Sequence, residues 1–495
     1  MERMNSLSAL LKGIVTIPSV LDMRVHGLSG DSRELRSGDA FLALRGSHGD
    51  AWRYADEALE NGAVAILAEV DEPEAVREWN GVLVVPVPGL ARLKGWLADR
   101  FYGRPSLSLS VVGVTGTNGK TSVTRFLTQI LNGAGISTAS LGTLGYGFPG
   151  SETPASHTTP DAVRMQRLLD TYRQQGAQAV VMEVSSHALD QGRVDEVAFS
   201  GAILTNLSQD HLDYHGSMMS YGESKAALFT RLKPVFAVIN KDDEFGRTLL
   251  GRLQPGCALW CYSLAAGDAD LYLTDLTMTA QGFVAQINGA AGPMELKCGL
   301  MGRFNVANVL AAVGAALALD VNPATIEAQV ASLTAPPGRL EVLAAEGRPR
   351  VIVDYAHTPD ALQSVLSALR PHVKGKLWCV FGCGGDRDQG KRPLMGAAAE
   401  KYADRVIITD DNPRSEDPTA IVTQILAGMN DSRACQVVHD RGDAIAHAIA
   451  EASPEDVVLV AGKGHENTQE RQGQMLPFSD RDTVSSLLTA KEGSV

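Results

Sequence analysis

Three glycines, a lysine and a threonine stand where an apolar run gives way to an amphipathic one. They are Gly113, Gly116, Gly119, Lys120 and Thr121, within the stretch from Leu109 to Asn132. A strand that ends in glycines and opens onto a helix turns backbone N–H groups and a helix N-terminus toward an anion. Lys120 adds a point charge, and the Thr121 hydroxyl can ligate Mg²⁺. The stretch reads as a loop for a triphosphate. It carries one irregularity: the generic spacing wants its first glycine at position 114, which is Val114, and Gly113 sits one place early.

Other groups stand at strand ends further along. Glu183 closes Ala179-Val-Val-Met-Glu183, where a carboxylate beside a phosphate loop suits a hard cation. Asn206-Leu-Ser-Gln-Asp-His211 ends the next apolar run and brings His211 to the same rim. Lys225 lies in a helical pattern among apolar neighbours and, taken alone, reads as a solvated or capping lysine. Arg339 and Asp354 flank the start of a later α/β region and could reach back toward a nucleotide. Arg387 and Arg414 are candidates for carboxylate recognition, because a guanidinium forks onto a carboxylate in a way that lysine cannot reproduce.

The elements that must position these groups alternate in type. Residues 1–88 are compact and mixed, with strands expected at Ala63–Leu67 and Val82–Val87 and polar turns at Gly30–Arg33 and Arg45–Asp50. Leu90–Phe101 has helical period. Strand-like runs at 179–183, 201–206 and 235–240, with helices between them, give the alternation of a mostly parallel sheet. The segment from Tyr262 to Leu300 is rich in Thr, Gly and β-branched residues and suggests an antiparallel addition, and 305–319 returns to helix. Ala-Pro-Pro-Gly-Arg339 is the best linker in the chain. After it, strands at 351–354, 377–381, 405–409 and 457–461 make a second α/β unit. Polar clusters follow three of them, at Gly384–Arg387, Asp411–Arg414 and Gly462–Glu466, and open α/β sheets bind ligands at the carboxyl ends of their strands.

Composition narrows the partners. At 495 residues the chain has room for about three domains. A formal charge of −13 argues against non-specific nucleic-acid or anionic-membrane binding, so an anionic substrate needs a few local cations. The six cysteines show no metal-site spacing and read as reduced cytosolic thiols, with Cys379 and Cys383 buried. No secretory signal and no transmembrane run is evident.

Seven words of the sequence together resemble the Mur ligases: Gly-Thr-Asn-Gly-Lys-Thr (116–121), Glu-Val-Ser-Ser-His-Ala-Leu (183–189), Asp-His-Leu-Asp-Tyr-His-Gly (210–216), Gly-Arg-Phe-Asn-Val-Ala-Asn (302–308), Asp-Tyr-Ala-His-Thr-Pro (354–359), Gly-Asp-Arg-Asp-Gln-Gly-Lys-Arg (385–392) and Asp-Asn-Pro-Arg (411–414). They run in order across almost the whole chain. The family's own loop is built around Gly-Thr-Asn-Gly-Lys-Thr, which accounts for Val114. Gln209, where Arg is expected, and His157, where Asn occurs in some relatives, are departures that remove no atom the chemistry requires.

The resemblance implies an α/β protein of three domains. These are an N-terminal uridine-nucleotide domain (1–88), a central P-loop ATPase with a mostly parallel sheet (89–335) and a C-terminal Rossmann-like domain for an amino acid (336–495). It implies that Ser32, Ser47, His48 and Gly49 face the uridine end of a UDP-muramoyl dipeptide, and that Thr158, Thr159, Ser185, Gln191 and Arg193 hold its dipeptide. Gly116, Thr117, Asn118, Gly119, Lys120, Thr121 and Ser122 would bind ATP phosphates. Asn305 and Asn308 would approach the adenine, and Arg339 and Asp354 would complete that site. Mg²⁺ would be held by Thr121, Glu183, His211 and a carbamylated Lys225, which reverses the bland reading of that lysine. Arg387, Asp411, Asn412, Pro413, Arg414, Gly462 and Glu466 would bind meso-diaminopimelate, with Arg414 on its distal carboxylate. The activity implied is ATP-dependent ligation through an acyl phosphate, in a cytoplasmic monomer. A related ligase with another acceptor (L-lysine-adding or folylpolyglutamate-synthase-like) and a non-catalytic P-loop binding protein are the rival readings.

Overall fold

The structure is a computed structural model that describes residues 5–46, 49–265, 267–431 and 435–489. The chain divides into two compact units, residues 1–261 and 262–495.

The first unit holds two main sheets and a short two-stranded ribbon, Arg45–Gly46 with Gly49–Asp50. Strands β1 (Leu28–Ser29), β2 (Ala40–Ala43), β3 (Ala65–Val70), β4 (Arg77–Trp79) and β5 (Val82–Pro88) lie in the order β1-β2-β3-β5-β4. All neighbours are parallel except the edge pair β4 and β5. The expected strand at 63–67 starts two residues later and runs to Val70, paired with β5 along its length. The helix Leu90–Phe101 follows as its period predicts, burying Leu90, Leu97 and Phe101. The expected turn around Ser32 is a single 3₁₀ turn, Ser32–Glu34, capped by Asp31.

The second sheet of this unit contains β6 (Ser110–Thr115), β7 (Thr138–Gly142), β8 (Gly145–Gly147), β9 (Ala179–Glu183), β10 (Gly201–Leu204) and β11 (Phe236–Asn240), in the order β8-β7-β9-β6-β10-β11. Only β8 runs antiparallel. Strands β9 and β10 are buried throughout and β6 from Val111 onward, as expected of parallel strands covered on both faces. Their carboxyl ends therefore lie side by side, with Gly116, Val184 and Thr205 one step beyond. Gly113 lies inside β6, and a Cβ there would come within 2.8 Å of the Phe199 ring. It is a packing glycine, and the loop begins at Gly116. That is the physical reason for the irregular spacing.

In the second unit, β12 (Leu271–Thr279), β13 (Gly282–Gly289) and β14 (Met294–Cys298) form an antiparallel meander, as the composition of 262–300 suggested. The helix Arg303–Ala318 is apolar nearly all round and buried on most of its surface. Beyond the Pro-Pro turn come β15 (Glu341–Leu343), β16 (Arg350–Asp354), β17 (Leu377–Phe381), β18 (Arg405–Ile408), β19 (Cys435–Val437) and β20 (Val457–Ala461), in the order β15-β16-β20-β17-β18-β19. All pairs but β15 with β16 are parallel. The ends of β17, β18 and β20 carry the three polar clusters. A hairpin that the sequence reading did not foresee, β21 (Thr468–Arg471) with β22 (Gln474–Pro477), lies against them through a bridge between Arg414 and Arg471.

Candidate active site

The phosphate loop is held from below by the end of β10. Thr205 Oγ1 donates to Asn118 O at 2.6 Å, Asn206 O accepts from Thr117 N, and Asn206 Oδ1 accepts from Asn118 N. Gly116 sits at φ +148°, and a Cβ there would lie 1.9 Å from Thr205 Oγ1, so only glycine lets the two strand ends approach. Gly119, at φ +88°, starts the helix Lys120–Gly133. The N–H groups of its first turn have no intrahelical acceptor, so the N-terminus offers donors to an anion. Lys120 Nζ donates to Gly116 O and Thr117 O, both at 2.9 Å, and so lies over the loop.

Glu183 is buried at the end of β9. Its carboxylate accepts from Thr121 Oγ1 at 2.9 Å and from Thr143 N at 2.8 Å. Burial raises its pKa, against the pull of Lys120 and these donors. Two oxygen-bearing side chains, Thr121 and Glu183, thus meet at the loop, and hard oxygens are the donor type that Mg²⁺ takes. His211 stands half-exposed in left-handed backbone at φ +52°, with its ring edge-on to His187 at 4.9 Å between centroids. His187 was not singled out from the sequence, although Glu-Val-Ser-Ser-His contains it.

Lys225 departs from its reading as a solvated lysine. It is 1% exposed on the helix Met218–Thr230, its Nζ donates to Gly116 O at 2.8 Å, and it lies 4.3 Å from the centre of the Tyr221 ring. Burial, reinforced by Lys120, lowers its pKa to about 6. Helical period placed it correctly, but period alone does not show that Lys225 falls on the buried face of that helix, with Tyr221, Gly222, Ala226 and Phe229.

The residues expected at the dipeptide gather beside Glu183. Thr159 Oγ1 donates to Glu183 O and accepts from Ser185 N. Thr158 Oγ1 meets Thr143 Oγ1 at 3.1 Å. Arg193 forks onto Gln191 Oε1 and donates to Thr159 O. In the N-terminal sheet, Ser32 is buried and donates to Glu57 at 2.6 Å. Ser47 and His48 lie outside the described residues, and Gly49 pairs with Gly46.

In the second unit, Asn305 and Asn308 are buried one turn apart on their helix, and Asn308 Nδ2 donates to Asn305 Oδ1. Asp354 spends its carboxylate on Leu340 N and Ala356 N, which fixes the turn that presents Arg339 over the Tyr355 ring at 5.0 Å. Burial raises the Asp354 pKa.

The clusters at β17, β18 and β20 converge on one another. Asn412 Oδ1 accepts from Lys463 Nζ at 3.0 Å and from Glu470 N, while Asn412 Nδ2 donates to Glu466. Lys463, fully buried, also donates to Glu466 at 2.9 Å. Burial works to raise the Glu466 pKa, but Lys463 and Asn412 outweigh it and hold that carboxyl below its ordinary value. Arg414, at φ +52°, donates through Nε to Glu470 at 3.1 Å and through Nη1 to Gly385 O at 2.8 Å. Gly462, at φ +120°, lets Asp411 approach to 2.6 Å of where a Cβ would stand. Exposed Arg387 lies beside Gly384, and Pro413 is buried between Asn412 and Arg414. Sequence reasoning missed Lys463, Glu470 and the buried Arg392, which grips Glu416 and Gly384 O from behind. Lys463 stood inside the Gly462–Glu466 cluster and Arg392 closed the word 385–392, so both lay within motifs already singled out, whereas Glu470 lay in none.

Together, a loop suited to a triphosphate beside a buried carboxylate, and a cluster of cations paired with carboxylates at the strand ends of the second unit, are the equipment of a nucleotide-using α/β enzyme. Profiles described as Mur ligase family, catalytic domain; Mur ligase middle domain; and Mur ligase, glutamate ligase domain match residues 24–102, 114–316 and 338–464. The chain belongs to the Mur ligase family. It is 48% identical, over 99% of its length and 100% of the relative's, to a protein of Alkalilimnicola ehrlichii named UDP-N-acetylmuramoyl-L-alanyl-D-glutamate--2,6-diaminopimelate ligase. A Pseudomonas aeruginosa protein of the same name is 47% identical over 95% of this chain and 96% of its own. A solved structure of that name superposes with a TM-score of 0.75 at 35% identity, covering 99% of this chain and 100% of the other. A MurF ligase of Thermotoga maritima in complex with ADP shares the fold, with a TM-score of 0.64 at 21% identity over 95% of this chain and 98% of the other.

Proposed function

We propose that the protein joins meso-2,6-diaminopimelate to the γ-carboxylate of D-Glu in UDP-N-acetylmuramoyl-L-alanyl-D-glutamate, with ATP converted to ADP and phosphate, in the synthesis of peptidoglycan precursors. The observation that carries this reading is Arg414, held by Glu470 and Gly385 inside the cluster of Asn412, Lys463 and Glu466. It occurs in a chain 48% identical to a ligase of that name. Diaminopimelate has a distal carboxylate that lysine lacks, and a pinned guanidinium discriminates on that group. Gly462 and Glu466, with Asp411, Asn412, Pro413 and Arg387, complete the acceptor site. The enzyme so read is a cytoplasmic monomer; its six cysteines are free and no helix among the described residues is long and apolar enough to cross a membrane. The domains divide at residues 88 and 335.

A carboxylate does not acylate an amine in water, because its leaving group is poor. Transfer of the γ-phosphoryl group forms a bond from the D-Glu carboxylate oxygen to phosphorus and breaks the bond to ADP. Lys120 and the helix N-terminus, with residues 116–122 around the phosphates, stabilise the charge that develops. Thr158, Thr159, Ser185, Gln191 and Arg193 hold the dipeptide, and Ser32, Ser47, His48 and Gly49 face the uridine end. Asn305, Asn308, Arg339 and Asp354 serve the nucleotide. The neutral amine of diaminopimelate then attacks the acyl carbon, loses a proton, and the tetrahedral intermediate expels phosphate. Water must be excluded while the acyl phosphate lasts.

Thr121, Glu183, His211 and Lys225 as its carbamate would hold Mg²⁺, and the oxygen donors at Thr121 and Glu183 fit that ion. Mg²⁺ would supply positive charge to the phosphate oxygens. Lys225 is suited to carbamylation because, with a pKa near 6, its amine is neutral at pH 7 and can bond to the carbon of CO₂ with loss of a proton.

Phosphate release tests the reading directly, with ATP, the UDP-muramoyl dipeptide and either meso-diaminopimelate or L-lysine. Release that depends on diaminopimelate and falls about a hundredfold with lysine is expected. Equal rates would point to another acceptor, and release that ignores every substrate would point to a binding protein.

A further inference from the structure

The turn Ser32–Glu34 carries a second group besides Ser32. Glu34 points to the helix Ala162–Gln174 of the central sheet, and both its oxygens are taken. Oε1 accepts from Arg164 Nη1 at 3.0 Å and Oε2 from Arg167 Nη2 at 2.6 Å, with all three side chains between one fifth and one third exposed. Asp161 caps that helix through Val163 N and Arg164 N, so Arg164 stands on a fixed first turn.

Arg164 continues past Glu34. Its Nη1 also donates to Ser156 Oγ at 3.1 Å, and its guanidinium lies 5.3 Å from the centre of the Tyr146 ring. The buried Tyr146 hydroxyl in turn donates to the carbonyl of His157. One carboxylate thereby connects the turn that bears Ser32 to the segment 156–159, which presents Thr158 and Thr159. A lone surface ion pair contributes little, but a carboxylate shared by two guanidinium groups, one of them stacked and bonded onward, fixes geometry as well as charge.

We propose that Glu34, Arg164 and Arg167 are positioning residues that set the spacing between the uridine end and the dipeptide end of the substrate site. This rests on the reading that Ser32 and Thr158–Thr159 serve opposite ends of one UDP-linked substrate. A ligand that spans both loops gains from a correct spacing, whereas a ligand that touches one loop does not.

The test uses the full-length chain with Glu34→Ala and, as a milder variant, Arg167→Ala. Calorimetry measures binding of UDP alone and of UDP-N-acetylmuramoyl-L-alanyl-D-glutamate, and steady-state kinetics supply kcat and the KM for ATP. Glu34→Ala should weaken the intact substrate about tenfold, a coupling of about 1.4 kcal/mol. UDP affinity, the KM for ATP and kcat at saturation should each stay within about twofold. Arg167→Ala should give a smaller loss of the same pattern. Equal losses for UDP and the intact substrate, or no loss for either, would overturn the clasp while leaving the activity in place. Failure of the unaltered chain to bind the UDP-muramoyl dipeptide would overturn both the functional reading and the clasp that rests on it.

Discussion

Lys225 in the first unit and Lys463 in the second are both buried almost completely, at 1% and 0% exposure, and they are buried in opposite ways. Lys463 is met by a carboxylate and an amide oxygen, Glu466 and Asn412. Lys225 is met by one backbone carbonyl and a ring face, and the repulsion of Lys120 outweighs the attraction of Asp210. Burial without a counter-ion drives an amine to its neutral, nucleophilic form, whereas burial with one keeps charge and geometry together. On the proposed reading, the phosphate loop is a place where charge is added, by a carbamate and by phosphates. The cluster around Lys463 is already balanced by Glu466 and Asn412, and would select a ligand by fit.

The largest effect should come from removing the reactive lysine. Lys225→Ala is expected to lower kcat by about a thousandfold, the scale of a lost transition-state electrostatic group. Short carboxylic acids such as formate should restore part of it, and isotope-labelled bicarbonate should enter the unaltered protein but not the variant. Full activity in CO₂-depleted buffer would remove the contrast between the two lysines.

Arg414→Ala should come next, with kcat/KM for diaminopimelate down about a hundredfold and binding of ATP and the UDP substrate unchanged. Arg414→Lys should recover little, because the pinned fork to Glu470 and Gly385 is what aims the remaining N–H groups. Unchanged kcat/KM would place acceptor recognition elsewhere.

These two sites were unequally legible. The phosphate loop is local, a strand, glycines and a helix in one stretch, so its chemistry showed in spacing; only Gly113 misled, because a glycine that accommodates Phe199 looks the same in sequence as one that cradles phosphate. Parallel strands such as β9 and β17 lie at the bounds expected from sequence because they are almost unbroken apolar runs. Lys225 was misread from its own surroundings and corrected only by family resemblance. Arg414 was visible as a candidate, but its partner Glu470 comes from a hairpin 56 residues downstream, and no periodicity reports such a pairing. The same holds for buried Arg392 and Arg441, which lie on helices and whose partners Glu416 and Asp480 are distant in sequence.

Lys463→Met tests the balanced side. Glu466 would lose its cation, and KM for diaminopimelate should rise about tenfold, with a stability loss of about 1–3 kcal/mol because Glu466 keeps a third of its surface in water. The Glu466 carboxyl is held below its ordinary value, so its contribution is present above about pH 4.5 and is lost as pH falls through the lowered value. Acid unfolding of the variant should lack that contribution. An unaltered KM and melting profile would make Lys463 a passive filler.

Lys225→Met should change stability in the other direction. The lysine is protonated when unfolded below 10.5 but gives up its proton in the fold above about 6, so the unfolded state binds more protons between these limits and stability of the unaltered protein rises with pH across them. The cost of burying the amine is therefore full below about pH 6 and gone near 10.5. In CO₂-depleted buffer, Lys225→Met should melt higher than the unaltered chain near pH 6, by about 1–3 kcal/mol after the lost bond to Gly116 O is allowed for. The gap should close steadily toward pH 10. A gap that stays constant with pH would mean that methionine gains by packing alone, and that the Lys225 amine keeps its proton inside the fold.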